Sequence, residues 1–590
     1  MVWAVAAVLT AGHGLDITDE GYYLLSYRWW NTNLYTYTGA QYFYGPVFQL
    51  LGYDIAGLRL FRLLTVIVAH TVFGWAFLRW LRGHRPSATP SIWWEVAGTA
   101  AIVASGGMVY GWLPLSPGYN DISLLGALLA AAVVLRVARE AERGRPVPLW
   151  VPASLGPLAV VMLLAKWPSS ALSLTVVGIV LLVVVWPRGR RERLRATGAA
   201  AGATLVTIAV VHVFVVPLTD ALPPMMAVNR AVAADTNSPT DLLQMYAVKA
   251  ELLLKQVVRT HLVLLLAATV VPLLKGRRLR WLAFGILAVG VADSARRVIL
   301  GHGVRGGTVN LTRFPIVITA GLLAIVLAAG AVVVAERVAA RSRPDVVATL
   351  SPLVRRDVRG WVVLAMLSVL PLTQAAGTGN ALHYLAIGGL GAWMAVVIAV
   401  VTGTDARATA RVLTATVATG IVVCATLIST DALWNHPYRT AGHAQTTTTV
   451  PGVAALSSVR LDPASASEYG ALYDMLRPYI EPPGRAIMAF DRMPGLVLLL
   501  NGRPVGEAWY SATDPQRTAA GIRQACATAQ PWWGDRAPIL LFNRPVTKTE
   551  TAALESCGLT FATDYRLLAP IDQTHGLQVY VPINSTDGHA

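Results

Sequence analysis

The sequence predicts an all-α polytopic membrane bundle of about 13 transmembrane helices, followed by a small C-terminal α/β domain. Three observations carry that prediction. The 590-residue chain is 55% hydrophobic and only 14% charged, with a mean hydropathy of +0.54, where a soluble domain has about 25% charged residues. Apolar runs approaching the roughly 20 residues of a bilayer span recur up to residue 430 and then stop. The net charge of +16 is gathered in alternate connections rather than spread along the chain.

The runs cover residues 1–13, 58–78, 93–112, 119–135, 149–165, 169–186, 197–216, 260–274, 281–295, 314–335, 360–375, 384–402 and 412–430. Connections following Arg79, Arg136, Pro187, Lys275, Arg337 and Arg407 hold 24 cations, and the opposite set with its helix edges holds 12. The positive-inside rule puts the richer set in the cytoplasm, together with the N-terminus, and everything after residue 430 outside. With their eight acids the cytoplasmic connections carry +16, and the rest of the chain cancels. The basicity is therefore a topological signal of a multi-pass plasma (inner) membrane protein, not a nucleic-acid footprint. Residues 1–13 reach only about 20 Å as a helix and have no basic leader, so a cleaved signal peptide fits poorly. Either that helix is short or the chain starts upstream of Met1.

Residues 431–590 differ in texture, with 12 cations balancing 14 anions and no spanning run. Short apolar strands (Ala486–Phe490, Ile539–Phe542, Leu577–Val581) alternate with helix-like stretches (Pro515–Ala529, Thr549–Ser556), the pattern of a small α/β domain. Cys526 and Cys557 end the two helix-like stretches. They form a bridge in an oxidising compartment or remain two buried thiols, since spacing does not fix their separation.

The most informative connection is the first, residues 14–57. It opens with three carboxylates, Asp16, Asp19 and Glu20, and has no cation before Arg28. Carboxylates at a bilayer surface are costly unless hydrated, paired or used. One of them can take a proton from a hydroxyl nucleophile, which is general-base work; equally, Thr18 or Asp19 can cap a helix beginning near Glu20. An aromatic stretch follows, including Tyr22, Tyr23, Trp29, Trp30, Tyr37 and Tyr44. Its length suggests helices lying in the interface. An interfacial belt accounts for most of these rings, with Tyr22 and Tyr23 set apart by their neighbouring acids as candidates for substrate binding.

Other polar groups stand at the same ends of the helices. Asn120 and Asp121 open one helix, and Lys166-Trp167-Pro168 forms a tight turn between two. Arg296 and Arg297 follow another run, Gly377-Thr-Gly-Asn380 precedes His383, and Trp434-Asn-His436-Pro-Tyr438-Arg439 follows the last span. Lys166, Arg296 and Arg297 are candidate partners for a lipid phosphate; the alternative is snorkelling to water. The chain has no phosphate-binding Gly-rich loop, and its isolated histidines show no metal spacing. An outside enzyme without nucleotide must draw on a donor already delivered by a lipid.

A first helix, an Asp-Glu pair in the first outside connection, many spans and an outside C-terminal domain resemble the C-type (GT-C) glycosyltransferases, in the branch of protein mannosyltransferases and aminoarabinose transferases. Asp19-Glu20-Gly21-Tyr22-Tyr23 is similar to that branch's first-loop Asp-Glu-x-x-Tyr. The Lys166 turn and the tract from Tyr119 resemble its later elements over about residues 1–430. A second acidic residue of that family, in a later loop, has no counterpart here. The resemblance implies an inverting single displacement, with a polyprenyl-phosphate sugar as donor and a glycan, lipid or protein hydroxyl as acceptor. Asp19 would then be the catalytic base, with Asp16 and Glu20 orienting the acceptor or tuning it. Lys166, Arg296 and Arg297 would steady the leaving phosphate, with Tyr22, Tyr23 and His383 among the substrate-binding groups. No cofactor is required, and nothing in the sequence supports a divalent cation. Membrane lipids are partners; nucleic acid is not. The rival classes are a polyisoprenoid-linked glycan flippase or transporter, which favours charges at mid-membrane depth, and a ligase of lipid-linked polymers.

Overall fold

The computed structural model describes residues 2–32, 36–84, 91–233, 238–274, 276–299, 309–342, 357–403, 408–481, 483–506, 510, 514–528, 537–568 and 576–583. Among these, nine helices are long and apolar enough to cross a membrane. The nine are fewer than the roughly 13 runs of the sequence, and each difference has a physical reason. The first run yields only α1 (Val2–Thr10), too short to span unaided. The run at 281–295 lies in Arg277–Ile299, whose ends carry Arg277, Arg278 and Arg280, then Asp293, Arg296 and Arg297. Val358–Thr373 reaches only 16 residues. The runs at 149–165 and 169–186 are counted together because helical hydrogen bonding continues across Lys166, yet the backbone breaks there, so they are two helices joined by the expected turn.

Two helices occupy the first connection, α2 (Asp19–Arg28) and α3 (Gln41–Leu50). Then follow α4 (Ile55–Arg82), α5 (Ile92–Gly106), α6 (Tyr119–Glu142), the single turn α7 (Trp150–Ala153) and α8 (Leu155–Val185). Asp54 caps α4, accepting from the amides of Ala56 and Gly57 at 3.0 Å each. Further along, the run at 260–274 belongs to a longer helix, Pro239–Val270, which departs from helical geometry at His261. An additional helix, Leu218–Ala233, contains Pro223 and Pro224. The last membrane helix is Ala408–Trp434.

The bundle has two chemically distinct ends. At one, the basic connections meet: Arg82 pairs with Glu95 at 2.9 Å, His84 lies 3.4 Å from Glu142, and Arg188 donates to the carbonyls of Gly144 and Arg145. At the other, residues 14–57 pack against the C-terminal region. There a five-stranded sheet has the order β2-β1-β3-β5-β4, with β1 Ala486–Ala489, β2 Arg503–Pro504, β3 Ile539–Phe542, β4 Tyr565–Leu568 and β5 Gln578–Pro582. β1 pairs parallel with β2 and β3; β5 runs antiparallel to β3 and β4.

Both faces of the central strands are buried, so their alternation divides them between two cores. Ile487, Ala489, Ile539 and Leu541 join the core that contains Tyr22, Leu24, Leu25 and Tyr27 of α2. Ala486, Met488, Leu540 and Phe542 join a second core with Ile522 and Leu554. A disulfide joins Cys526 to Cys557 across this outer layer, with Cα atoms 5.6 Å apart. The first connection and the C-terminal sheet thus share one core. Backbone contacts seal the join: Gly14 N–H donates to Arg460 O and Arg460 N–H to Gly12 O, both at 2.8 Å.

Candidate functional site

The three carboxylates of the first connection have separate surroundings. Asp16, buried, accepts from the Thr18 amide (3.0 Å), the Thr18 hydroxyl (2.6 Å) and the Glu20 amide (3.1 Å). Asp16 therefore caps α2; Thr18, at the N-cap position, makes no side-chain capping bond. Burial pushes the Asp16 carboxyl up to about 6, against the downward pull of its bonds from Thr18 and Glu20. Glu20 is 1% exposed. It accepts from Arg59 at 2.9 and 2.8 Å and from the amide and hydroxyl of Ser116 at 2.9 and 2.6 Å. Burial works to raise Glu20, but the Arg59 guanidinium and the Ser116 hydroxyl hold it below the usual carboxylate range. Arg59 also donates to the carbonyls of Ala11, His13 and Gly14, so this ion pair shapes the turn from which Asp16 and Asp19 project.

Asp19 stands at the first position of α2 with 29% of its side chain exposed. Two groups from the connection after Ala408–Trp434 converge on its Oδ2: the Tyr438 hydroxyl donates at 2.5 Å, and Arg439 pairs at 3.0 Å. Arg439 also donates to the Thr18 hydroxyl at 2.6 Å. Burial and the adjoining Asp19 carboxylate raise the Tyr438 phenol, keeping it protonated. Both residues line a pocket of about 920 Å³, walled also by Asp16, Thr18, Trp112 and Tyr469. Such a volume admits a ligand of several rings.

Aromatic rings back the site. Tyr22 stacks on Tyr37 with centroids 4.9 Å apart, and Tyr23 meets Tyr119 edge-on at 5.7 Å. Both tyrosines of the pair are buried, so they support α2 rather than line the pocket. Gly118 explains how closely α6 approaches, since a Cβ there would lie 2.5 Å from the Tyr23 ring.

Lys166 is at the break in α8, with φ −154° and ψ 79°. Its ammonium is buried and donates to Asn120 Oδ1 (2.9 Å) and Gln374 O (2.6 Å). Asn120 and Gln374 border a small crevice that includes Trp112, which also lines the large pocket. His383 packs on Tyr384 at 4.5 Å, and Tyr384 reaches Trp112 at 5.6 Å. Arg296 is exposed, pairs with Asp293 of its own helix at 3.2 Å and does not line the large pocket. The Arg297 side chain, like His302 and Arg305, lies outside the described residues.

Of the sequence candidates, Asp16 and Asp19 therefore meet the pocket or its edge, Glu20 and the two tyrosines buttress it, and Lys166 and His383 lie behind Trp112. Tyr438 and Arg439 stand in the polar tract noted after the last span, yet nothing in one dimension ties them to Asp19, 419 residues earlier in the case of Tyr438. Arg59 carried a weaker signal: a cation at the start of the apolar run 58–78, after a connection that opens with three acids. Among the described residues no group of three or more His, Cys, Asp or Glu side chains is placed to hold a metal ion.

The long apolar helices among the described residues make the chain a multi-pass membrane protein. No protein-family model matches the chain, and no curated protein matches it.

Proposed function

We propose that the chain is an inverting membrane glycosyltransferase that moves a sugar from a polyprenyl-phosphate donor to a hydroxyl acceptor on the extracytoplasmic face, with Asp19 as general base. The observation that carries this reading is the position of Asp19: partly exposed, beside a pocket of about 920 Å³, at the bundle end opposite the basic connections. The Cys526–Cys557 bridge on the Asp19 side supports an oxidising, extracytoplasmic location for that end. The Asp-Glu-x-x-Tyr pattern at Asp19 adds the resemblance described above.

In this mechanism the acceptor hydroxyl gives its proton to Asp19 as its oxygen attacks the anomeric carbon. The bond from that carbon to the phosphate oxygen breaks, and the lipid phosphate leaves with the electron pair. A cation near the departing oxygen lowers the barrier as charge develops. Lys166, buried on Asn120 and the Gln374 carbonyl, and Arg296, paired with Asp293, are not among the residues that line the large pocket. Arg439, half exposed at the pocket, is better disposed for that role.

Asp19→Asn is expected to leave the fold intact and lower sugar transfer by roughly 100- to 10,000-fold, the usual contribution of a general base. Purified full-length protein incubated with radiolabelled polyprenyl-phosphate sugars provides the measurement. Turnover equal to wild type would sink the assignment.

A further inference from the structure

In this structure two donors, Tyr438 and Arg439, occupy Oδ2 of Asp19, the atom from which an incoming hydroxyl would otherwise be bonded. Yet the cation is not locked in place. The Arg439 side chain is 50% exposed and lines the pocket. Its backbone lies at φ 53°, a left-handed conformation that non-glycine residues rarely adopt. The connection around it is anchored: His436 N–H donates to Asp431 O at 3.0 Å and His443 N–H to Trp434 O at 2.7 Å. The strained backbone directs Arg439 at Asp19, and its side chain can leave by rotating about its own bonds.

A guanidinium pairs as readily with a phosphate as with a carboxylate, in the same forked geometry. We propose that Arg439 is an exchangeable cation which rests on Asp19 and passes to the phosphate of an incoming phosphate-ester ligand, so that anion binding unmasks the Asp19 carboxylate. The proposal rests on the transferase reading for its consequence, since the unmasked group is then the base. It frees one bonding position on Asp19 when the leaving phosphate is in place, and it restrains Asp19 while the pocket is empty. Tyr438 holds the carboxylate in position as the cation departs.

The test is a binding cycle on the full chain in lipid nanodiscs, followed by tryptophan fluorescence; the Trp112 ring lies 6.3 Å from that of Tyr438. Farnesyl phosphate and inorganic phosphate are titrated separately, to distinguish a lipid headgroup from a free anion. If Asp19 and the phosphate compete for Arg439, Asp19→Asn tightens binding by about fivefold, the scale of a half-exposed ion pair. That gain falls to within about twofold when Arg439→Gln is also present, because the object of the competition has gone. Simple repulsion between Asp19 and phosphate would instead preserve the gain in both backgrounds and overturn the proposal. So would the absence of binding by either probe to folded wild type. Arg439→Met, which keeps the aliphatic stem, runs the same cycle where the Gln variant lowers thermal stability. Coupled binding without sugar transfer removes the transferase reading and leaves the exchange; transfer with additive binding does the reverse.

Discussion

Asp16, Asp19 and Glu20 lie within five residues and have three different environments. Glu20 is enclosed with Arg59, a pair that is costly to split because either partner alone would be a buried charge. Asp16 is enclosed with hydrogen-bond donors but no cation bonded to it, so burial dominates and its carboxyl rises to about 6. A carboxyl raised in the folded state stabilises it most below its unfolded value near 3.8, and that contribution is lost as pH rises through about 6. Asparagine does not titrate, but it keeps only one acceptor oxygen, so it can serve Thr18 and sets its NH2 against the Glu20 amide. Asp16→Asn therefore removes an ionisation penalty of roughly 1–3 kcal/mol at neutral pH while losing the bond to the Glu20 amide, a loss that does not vary with pH. Its stability relative to wild type is thus expected to be higher at about pH 7 than at about pH 4. Thermal unfolding across that range checks it; a difference independent of pH would show that ionisation of Asp16 is not the cause. The acids were legible in the sequence, but their division of labour was not, because Arg59, Ser116, Tyr438 and Arg439 come from elsewhere in the chain.

Among the elements, α8 shows how much local chemistry can specify. Pro168 has no N–H for Leu164 O and its ring crowds that carbonyl; the Gly39 amide supplies the missing bond at 2.8 Å. Ser170 Oγ reaches Met162 O at 2.8 Å, although eight residues of continuous helix would separate them by about 12 Å. The chain therefore folds back at Lys166, and the sequence indicated that turn through Pro168. The docking of α2 was not similarly visible. It depends on Gly21, where a Cβ would lie 2.5 Å from the Gly495 amide, while that amide donates to Ile17 O at 2.8 Å. Gly21→Val should cost about 1–3 kcal/mol through overpacking, whereas Gly178→Ala, with no atom within 4 Å of its added carbon, should be neutral or stabilise by up to about 1 kcal/mol. Paired denaturation curves test the contrast. Equal effects would mean that the Gly21 contact does not constrain α2.

At the scale of the whole molecule, the region after Val450, sheet and helices together, supplies more than half of the core beneath the first connection. Leu496, Leu499, Ile487 and Leu541 share a cluster with Leu24, Leu25 and Tyr27. Removing residues 446–590 would expose that apolar surface, so the truncated chain is expected to aggregate in detergent and to lose protease resistance within residues 14–57. A monodisperse truncation with the first connection still protected would show that the two regions fold independently. The apolar runs, the alternation of charge, the strand and helix pattern after residue 430 and the Lys166 turn were determined by the sequence itself, because hydropathy, periodicity and proline act over a few residues. The tertiary structure alone decided which runs were long enough to span, that Asp16 and Glu20 are enclosed, and that Tyr438 and Arg439 close on Asp19. Those outcomes depend on contacts between segments hundreds of residues apart, whose pairing follows from the packing of the whole core.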